Sequence, residues 1–318
     1  MIINSHVHVN TLGNYFYYPD YNFNRFLEEM HKNKIDIAFP ALNPKLELFR
    51  CPNSSKDSNN FKEHDVINSS IELKGSSNKH RIQVVEKNNH MLLQCNTCGY
   101  ITYEGSVDPL RKYNQALIAI TSPYRRTIKP LIYVLLCKST IQNEIDFWEN
   151  NYPNDFVGFK LHPWNDQVSV ADFKVHSFRP FLIHTGIRDL ESAKNAIAFA
   201  KNNPTLKVVI AHAGALDTTV LNEIGLLENV FIDCCPSTFM FESRFSALYS
   251  PEHIFAPEDI YWKVLKYLPS HKILFGTDSP WGDPQKELEV IRNLNATPKV
   301  KEQILFKNAA RVYGLSLY

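Results

Sequence analysis

The chain has 318 residues, 44% hydrophobic and 21% charged, with a formal net charge of +1. That length buries a large core, and one big α/β barrel or two ordinary domains would both fit. The near-zero charge excludes bulk attraction to nucleic acid or an anionic membrane as the basis of function, and 12% aromatic residues speak against a disordered scaffold.

The opening Met1-Ile2-Ile3-Asn4-Ser5-His6 lacks a basic region followed by an apolar run, and no stretch reaches the roughly 18 apolar residues of a membrane helix. A soluble, cytoplasmic protein without a membrane partner is expected. The six cysteines, at 51, 95, 98, 137, 234 and 235, are too few for a disulfide framework at this length.

In chain order, short apolar or β-branched segments at 2–9, 36–42, 128–137, 156–162, 181–185, 207–212, 230–235 and 272–277 predict strands. Their nearly continuous apolar character suits a parallel sheet buried on both faces. Between them, 114–120, 141–150, 189–201 and 285–294 read as helices. The clearest is 189–201, with Leu190, Ala193, Ile197 and Ala200 on one face and Pro204 closing it. Eight strand-then-helix units favour a (β/α)8 TIM barrel, and no G-x-G-x-x-G supports a Rossmann sheet. Residues 45–106, rich in Asn, Ser and Lys, break the pattern. They predict a ribbon-like subdomain inserted after the second strand, with 1–44 and 107–318 forming the barrel.

Polar residues fall at the strand ends where barrel active sites are built. His6-Val7-His8 places two imidazoles on one face of the first strand; alone, such a pair also fits two hydrogen-bonded histidines. Lys160 and His162 end the fourth strand in Gly158-Phe159-Lys160-Leu161-His162-Pro163. His184 ends the fifth in His184-Thr185-Gly186, His212 the sixth in His212-Ala213-Gly214, and Asp278 the eighth in Gly276-Thr277-Asp278-Ser279-Pro280-Trp281. Packing alone does not explain polar groups at so many strand ends, since each needs a partner.

These motifs, with the C-terminal segment 307–314, resemble the amidohydrolase superfamily, and within it the amidohydrolase-related branch of aminocarboxymuconate semialdehyde decarboxylase. The resemblance implies one divalent metal held by His6, His8, His184 and Asp278. Three imidazoles and a carboxylate suit Zn2+, with iron(II) or manganese also compatible. It further implies that His212 is a general acid/base rather than a ligand, while Asp278 doubles as ligand and proton acceptor. Lys160 has three readings: a cation for substrate or oxyanion, a carboxylated bridge between two metals, or a lysine paired with a carboxylate. His162, Trp164, Arg188 and Trp281 are candidates for the substrate pocket, and Cys234 and Cys235 read as small buried residues rather than nucleophiles.

Cys95-Asn96-Thr97-Cys98-Gly99-Tyr100 has the form of a zinc-ribbon knuckle. Its upstream partner, Cys51-Pro52-Asn53-Ser54, carries serine in place of the second cysteine. Cys51, Cys95 and Cys98, with His64, His80 or His90, are candidates for a structural zinc; the alternative is a degenerate ribbon held by its own hairpin. The expected activity is metal-dependent hydrolysis of an amide, ester or lactone in a small polar substrate, with non-oxidative decarboxylation as the alternative. Nucleic acid is disfavoured as a partner, and a homo-oligomer is allowed.

Overall fold

The computed structural model describes residues 1–9, 21–43, 82–242 and 256–316. An eight-stranded parallel sheet takes the strands in chain order: β1 (Ile3–His8), β2 (Ile37–Ala41), β6 (Leu131–Tyr133), β7 (Gly158–Leu161), β8 (Phe181–Ile183), β9 (Val208–Ile210), β10 (Val230–Asp233) and β11 (Ile273–Leu274). Backbone bonds across the first and last strands close it: Ser5 N donates to Phe275 O (3.0 Å), Thr277 N to His6 O (3.0 Å) and His8 N to Ser279 O (2.8 Å). The chain is a (β/α)8 TIM barrel, as the strand-then-helix spacing predicts.

Alternation along the strands divides the core. Ile3, Phe39, Leu131, Leu182, Val209, Phe231 and Leu274 meet in one cluster, the barrel interior. Their neighbours Phe159, Phe181, Ile183, Val208, Ile210 and Ile232 pack outward against Trp148, Ile197, Phe199 and Ile224 of the helical layer. Because the period is two, residues 184 and 233 continue the inward register of Leu182 and Phe231 at the strands' C-terminal ends.

Two predicted elements differ in detail. The strand expected over 128–137 is regular only at Leu131–Tyr133, because side chains take the next backbone donors. Leu135 N donates to Asp108 Oδ2 and Leu136 N to Asp166 Oδ2, both at 3.0 Å, while Tyr133 Oη donates to Asp166 Oδ1 at 2.8 Å. The helix expected over 189–201 begins at Ala193, with the Ser192 side chain accepting from Lys194 N at its N-terminus. A separate 3-10 turn, Asp189–Glu191, precedes it and turns Glu191 inward.

An antiparallel sheet of β3 (Ile82–Lys87), β4 (His90–Cys95) and β5 (Ile101–Gly105) follows β2 in the chain. Asn88 and Asn89, at φ 52° and 62°, form the two-residue hairpin loop that asparagine tolerates in the left-handed region. Met91, Leu93 and Cys95 pack on Leu42, Leu110, Tyr133, Leu135 and Cys137 of the barrel. No helix among the described residues is long and apolar enough to cross a membrane.

Candidate metal centre at the barrel mouth

A register shift between Asn4 and Val7 in the β1–β2 pairing leaves His6 and His8 at the top of β1, both buried. Their Nε2 atoms lie 3.3 Å apart. Asp278 Oδ1 is 3.3 Å from the first and 3.2 Å from the second. The Asp278 backbone sits at φ 54°, a costly conformation for a non-glycine residue, tied down by Asp278 N donating to His6 O at 2.8 Å. Gly282 lets this loop fold tightly, since a Cβ there would stand 2.1 Å from Thr277 O.

The outer ring nitrogens define the protons. His6 Nδ1 meets Asp233 Oδ2 at 3.0 Å and His8 Nδ1 meets Ala41 O at 3.3 Å. Both partners are acceptors, and in a neutral ring with hydrogen on Nδ1 the Nε2 atom carries the lone pair. Burial pushes His6 well below the ordinary imidazole pKa, helped by the Lys160 charge, and lowers His8 as well. Burial works against the Asp278 carboxylate, but His8, His212 and Lys160 outweigh it and hold its pKa below the usual range. In that form three lone-pair atoms face one another. A cation resolves that repulsion, and the triangle has the right size: a zinc tetrahedron with bonds of about 2.0–2.1 Å has edges of about 3.3 Å. His6, His8 and Asp278 are therefore a donor set fit to hold a divalent metal.

Lys160, fully buried, donates from Nζ to His6 Nε2 at 2.9 Å. Burial draws its pKa down to about 8 against the pull of Asp278 and Asp233. Asp233 is equally buried, and burial raises its carboxyl above the usual value.

His184 is placed one ring away from the His6–His8–Asp278 group. Its Nδ1 is 2.9 Å from His212 Nε2, and its Nε2 is 3.3 Å from Glu191 Oε2. His212 Nδ1 donates to Cys235 O at 2.6 Å, so His212 Nε2 accepts the proton of His184 Nδ1. His184 Nε2 then faces a carboxylate, and burial lowers the ring's pKa against the pull of Glu191. His212 rings both groups, with centroids 5.2 Å from His6 and 4.7 Å from His184. It opens a run of left-handed backbone, φ 58°, 52°, 56°, 59° and 55° at residues 212–216, where only Gly214 is free of steric penalty.

Gly186 is required by Glu191. A Cβ at 186 would lie 2.4 Å from Glu191 Oε1, so Gly186→Ala should push the carboxylate off His184. We expect a stability loss of about 1–3 kcal/mol, measured by denaturant unfolding, and a second substitution, Glu191→Ala, should recover most of the packing part of it. Equal losses in the single and double variants would show that the collision is not the cause.

Around this centre, His162 stacks on His184 with centroids 3.7 Å apart. Arg188 lies over Trp164, 3.9 Å from the ring centre, and reaches Glu191 Oε1 at 3.5 Å. Trp281 meets His8 edge-on at 5.5 Å. Cys234 and Cys235 are both buried, and burial pushes both thiols well above their ordinary pKa. Away from the mouth, Cys95 is buried against the barrel and Cys98 is exposed in the turn closed by Gly99 N donating to Cys95 O at 3.0 Å. Cys51, His64 and His80 lie outside the described residues. His90 stands at the other end of β4, about 16 Å along the strand, and does not share an ion with Cys95.

Two carboxylates of the centre, Asp233 and Glu191, are absent from the strand-end pattern drawn above. Asp233 carried a usable signal, as the one charged residue in Val230-Phe231-Ile232-Asp233 and two positions beyond an inward phenylalanine.

A family model described as amidohydrolase matches residues 179–315. No curated protein matches the chain. Among solved structures, the chain is similar to 5-carboxyvanillate decarboxylase from Sphingomonas paucimobilis, at 12% identity over 99% of each chain and a TM-score of 0.60. It is similar to a probable 2-pyrone-4,6-dicarboxylic acid hydrolase from Acinetobacter baumannii, at 13% identity over 99% of each chain and a TM-score of 0.55. A dihydroxybenzoic acid decarboxylase from Polaromonas with bound manganese aligns at 11% identity, over 98% of this chain and 96% of that one, with a TM-score of 0.58. At these identities the likeness is one of fold.

Proposed function

We propose, from the amidohydrolase model matched over residues 179–315 and the donor group at the barrel mouth, that the chain is a metal-dependent hydrolase cleaving an amide, ester or lactone bond of a small polar substrate. The observation that carries the metal is the convergence of His6 Nε2, His8 Nε2 and Asp278 Oδ1 at 3.2–3.3 Å. His184 is the fourth protein donor in this reading, and its ring, whose nitrogens here meet His212 Nε2 and Glu191 Oε2, would turn to reach the ion. The donor chemistry suits Zn2+, and Mn2+ is compatible. Such an ion supplies Lewis acidity toward water or a carbonyl oxygen.

The chain's own groups supply the rest. His212 moves the proton at Nε2, with its ring fixed by the bond from Nδ1 to Cys235 O. The Lys160 ammonium, buried beside His6, offsets negative charge developing on a substrate oxygen. Arg188, held flat on Trp164, presents a cation at the rim to an anionic substrate. The β3–β5 sheet, packed on Leu42 and Leu135, walls one side of the mouth, and Cys95 and Cys98 are the two thiols it offers to a structural zinc.

Non-oxidative decarboxylation of a small carboxylic acid is the second reading, favoured by the two cations, Lys160 and Arg188, at a site of this fold. The test is a substrate panel with Zn2+- and Mn2+-loaded protein. Lactones, esters and N-acyl compounds are followed by acid release, and hydroxybenzoates by evolved carbon dioxide. Acid release supports hydrolysis; carbon dioxide without acid release replaces it with the second reading. Metal-free protein that turns over at the loaded rate would discard the metal altogether.

A further inference from the structure

We propose that Asp233 is a positioning residue that sets the His6 tautomer and the seat of His212 with one carboxylate, an inference that rests on the metal reading above. Asp233 ends β10 fully buried and spends its two oxygens on different halves of the site. Oδ2 faces His6 Nδ1 at 3.0 Å. Oδ1 accepts from His212 N at 3.0 Å, Cys235 N at 3.3 Å and Cys235 Sγ at 3.3 Å. Everything directed at the carboxylate is a donor or, for His6, becomes one, which suits an ionised acceptor.

The consequence for His6 is a matter of one proton. With hydrogen held on Nδ1 by Asp233, the lone pair sits on Nε2, aimed at His8 and Asp278. The Lys160 Nζ donor at 2.9 Å from Nε2 agrees with that assignment. The consequence for His212 is one of backbone. Its amide is pinned at the first residue of the left-handed run, φ 58°, where the chain would otherwise relax toward ordinary conformations. A carboxylate behind a ligand imidazole fixes ring orientation and raises its basicity, and removing such a partner typically lowers metal affinity about 10–100-fold.

Asp233→Asn tests this with little change of volume. The amide oxygen stays on the side of the three Oδ1 donors, which leaves the amide N–H2 facing His6 Nδ1. A donor there requires the lone pair at Nδ1, so the His6 proton moves to Nε2 and points into the metal position. The first measurement is nitrogen NMR of the histidine side chains in metal-free protein. Wild type should show His6 protonated at Nδ1, and D233N should show it protonated at Nε2. The second is direct titration with Zn2+ and Mn2+, where D233N should bind about 10–100-fold more weakly. Wild-type His6 protonated at Nε2 overturns the proposal without need of any variant. D233N that binds both ions as tightly as wild type, or keeps the Nδ1 proton, overturns it alone. Wild type that binds neither ion overturns the metal reading and this inference with it.

Discussion

Asp278→Asn is expected to lower turnover by more than about 1000-fold, equivalent to about 4 kcal/mol of transition-state stabilisation, and at the same time to make the metal-free protein less stable. The two effects have one origin, the carboxylate charge. Asp278 Oδ1 stands 3.2–3.3 Å from the His6 and His8 rings, and His8, His212 and Lys160 hold its pKa below the usual range, so the folded chain favours the ionised form. An amide at 278 takes that charge away from the buried Lys160 ammonium, for an expected loss of about 1 kcal/mol. It also replaces an anionic donor of the metal set. The check is denaturant unfolding in chelator beside steady-state kinetics with Zn2+ or Mn2+. A metal-free variant as stable as wild type, or more so, would mean that the charge carries no such stabilisation.

The second large effect is the response to metal and acid. Saturation at about 1000 times Kd should stabilise the fold by about 4 kcal/mol, and chelation should reverse it. For the metal-free protein the sign with pH follows from His6, His8, His184 and His212, all lowered chiefly by burial. The unfolded chain takes up protons on these rings near pH 6.5, about where a free imidazole titrates, and the folded chain only below that. Their contribution is complete above about pH 6.5 and is lost as pH falls through the depressed folded values, by up to about 1.4 kcal/mol per pH unit for each ring. Asp108 and Asp166, pushed up by burial to about 7 and about 8, act the opposite way, losing stability as pH rises. Asp233 and Glu287, also raised by burial, act with them; the four rings, which charge below about pH 6.5, are expected to dominate, so stability should fall between pH 6.5 and 5. Unfolding midpoints in chelator across that range decide it, and a flat or rising trend on acidification would refute the assignment of neutral, buried rings.

Much of the centre was legible as spacing. Strand ends at His6, His8, Lys160, His184, His212 and Asp278 are visible because a short apolar run followed by a polar residue marks the C-terminal rim of a barrel. Glu191 was hidden because helical periodicity across 189–201 favours Leu190 for the buried face; the chain instead breaks at Ser192 and turns Glu191 inward. His184 shows a different limit. Its strand-end position groups it with the ligands, but which ring nitrogen meets which neighbour depends on rotamers, and here those neighbours are His212 and Glu191. Tautomers follow from acceptors such as Ala41 O and Cys235 O, which no residue pattern displays.

The closing seam of the barrel bears on how the molecule is made. His6 and Asp278 belong to its first and last strand ends, and the bonds that join them, such as Asn4 Nδ2 donating to Thr277 Oγ1 at 2.9 Å, span 273 positions of chain. Contacts this distant in sequence form late, after the loop-closure entropy of everything between has been met. An emerging or truncated chain can assemble the middle strands and still have no place for an ion. Capture of the proposed ion would then be a timestamp on ring closure, and an ion added during refolding should report the last step of assembly rather than the first.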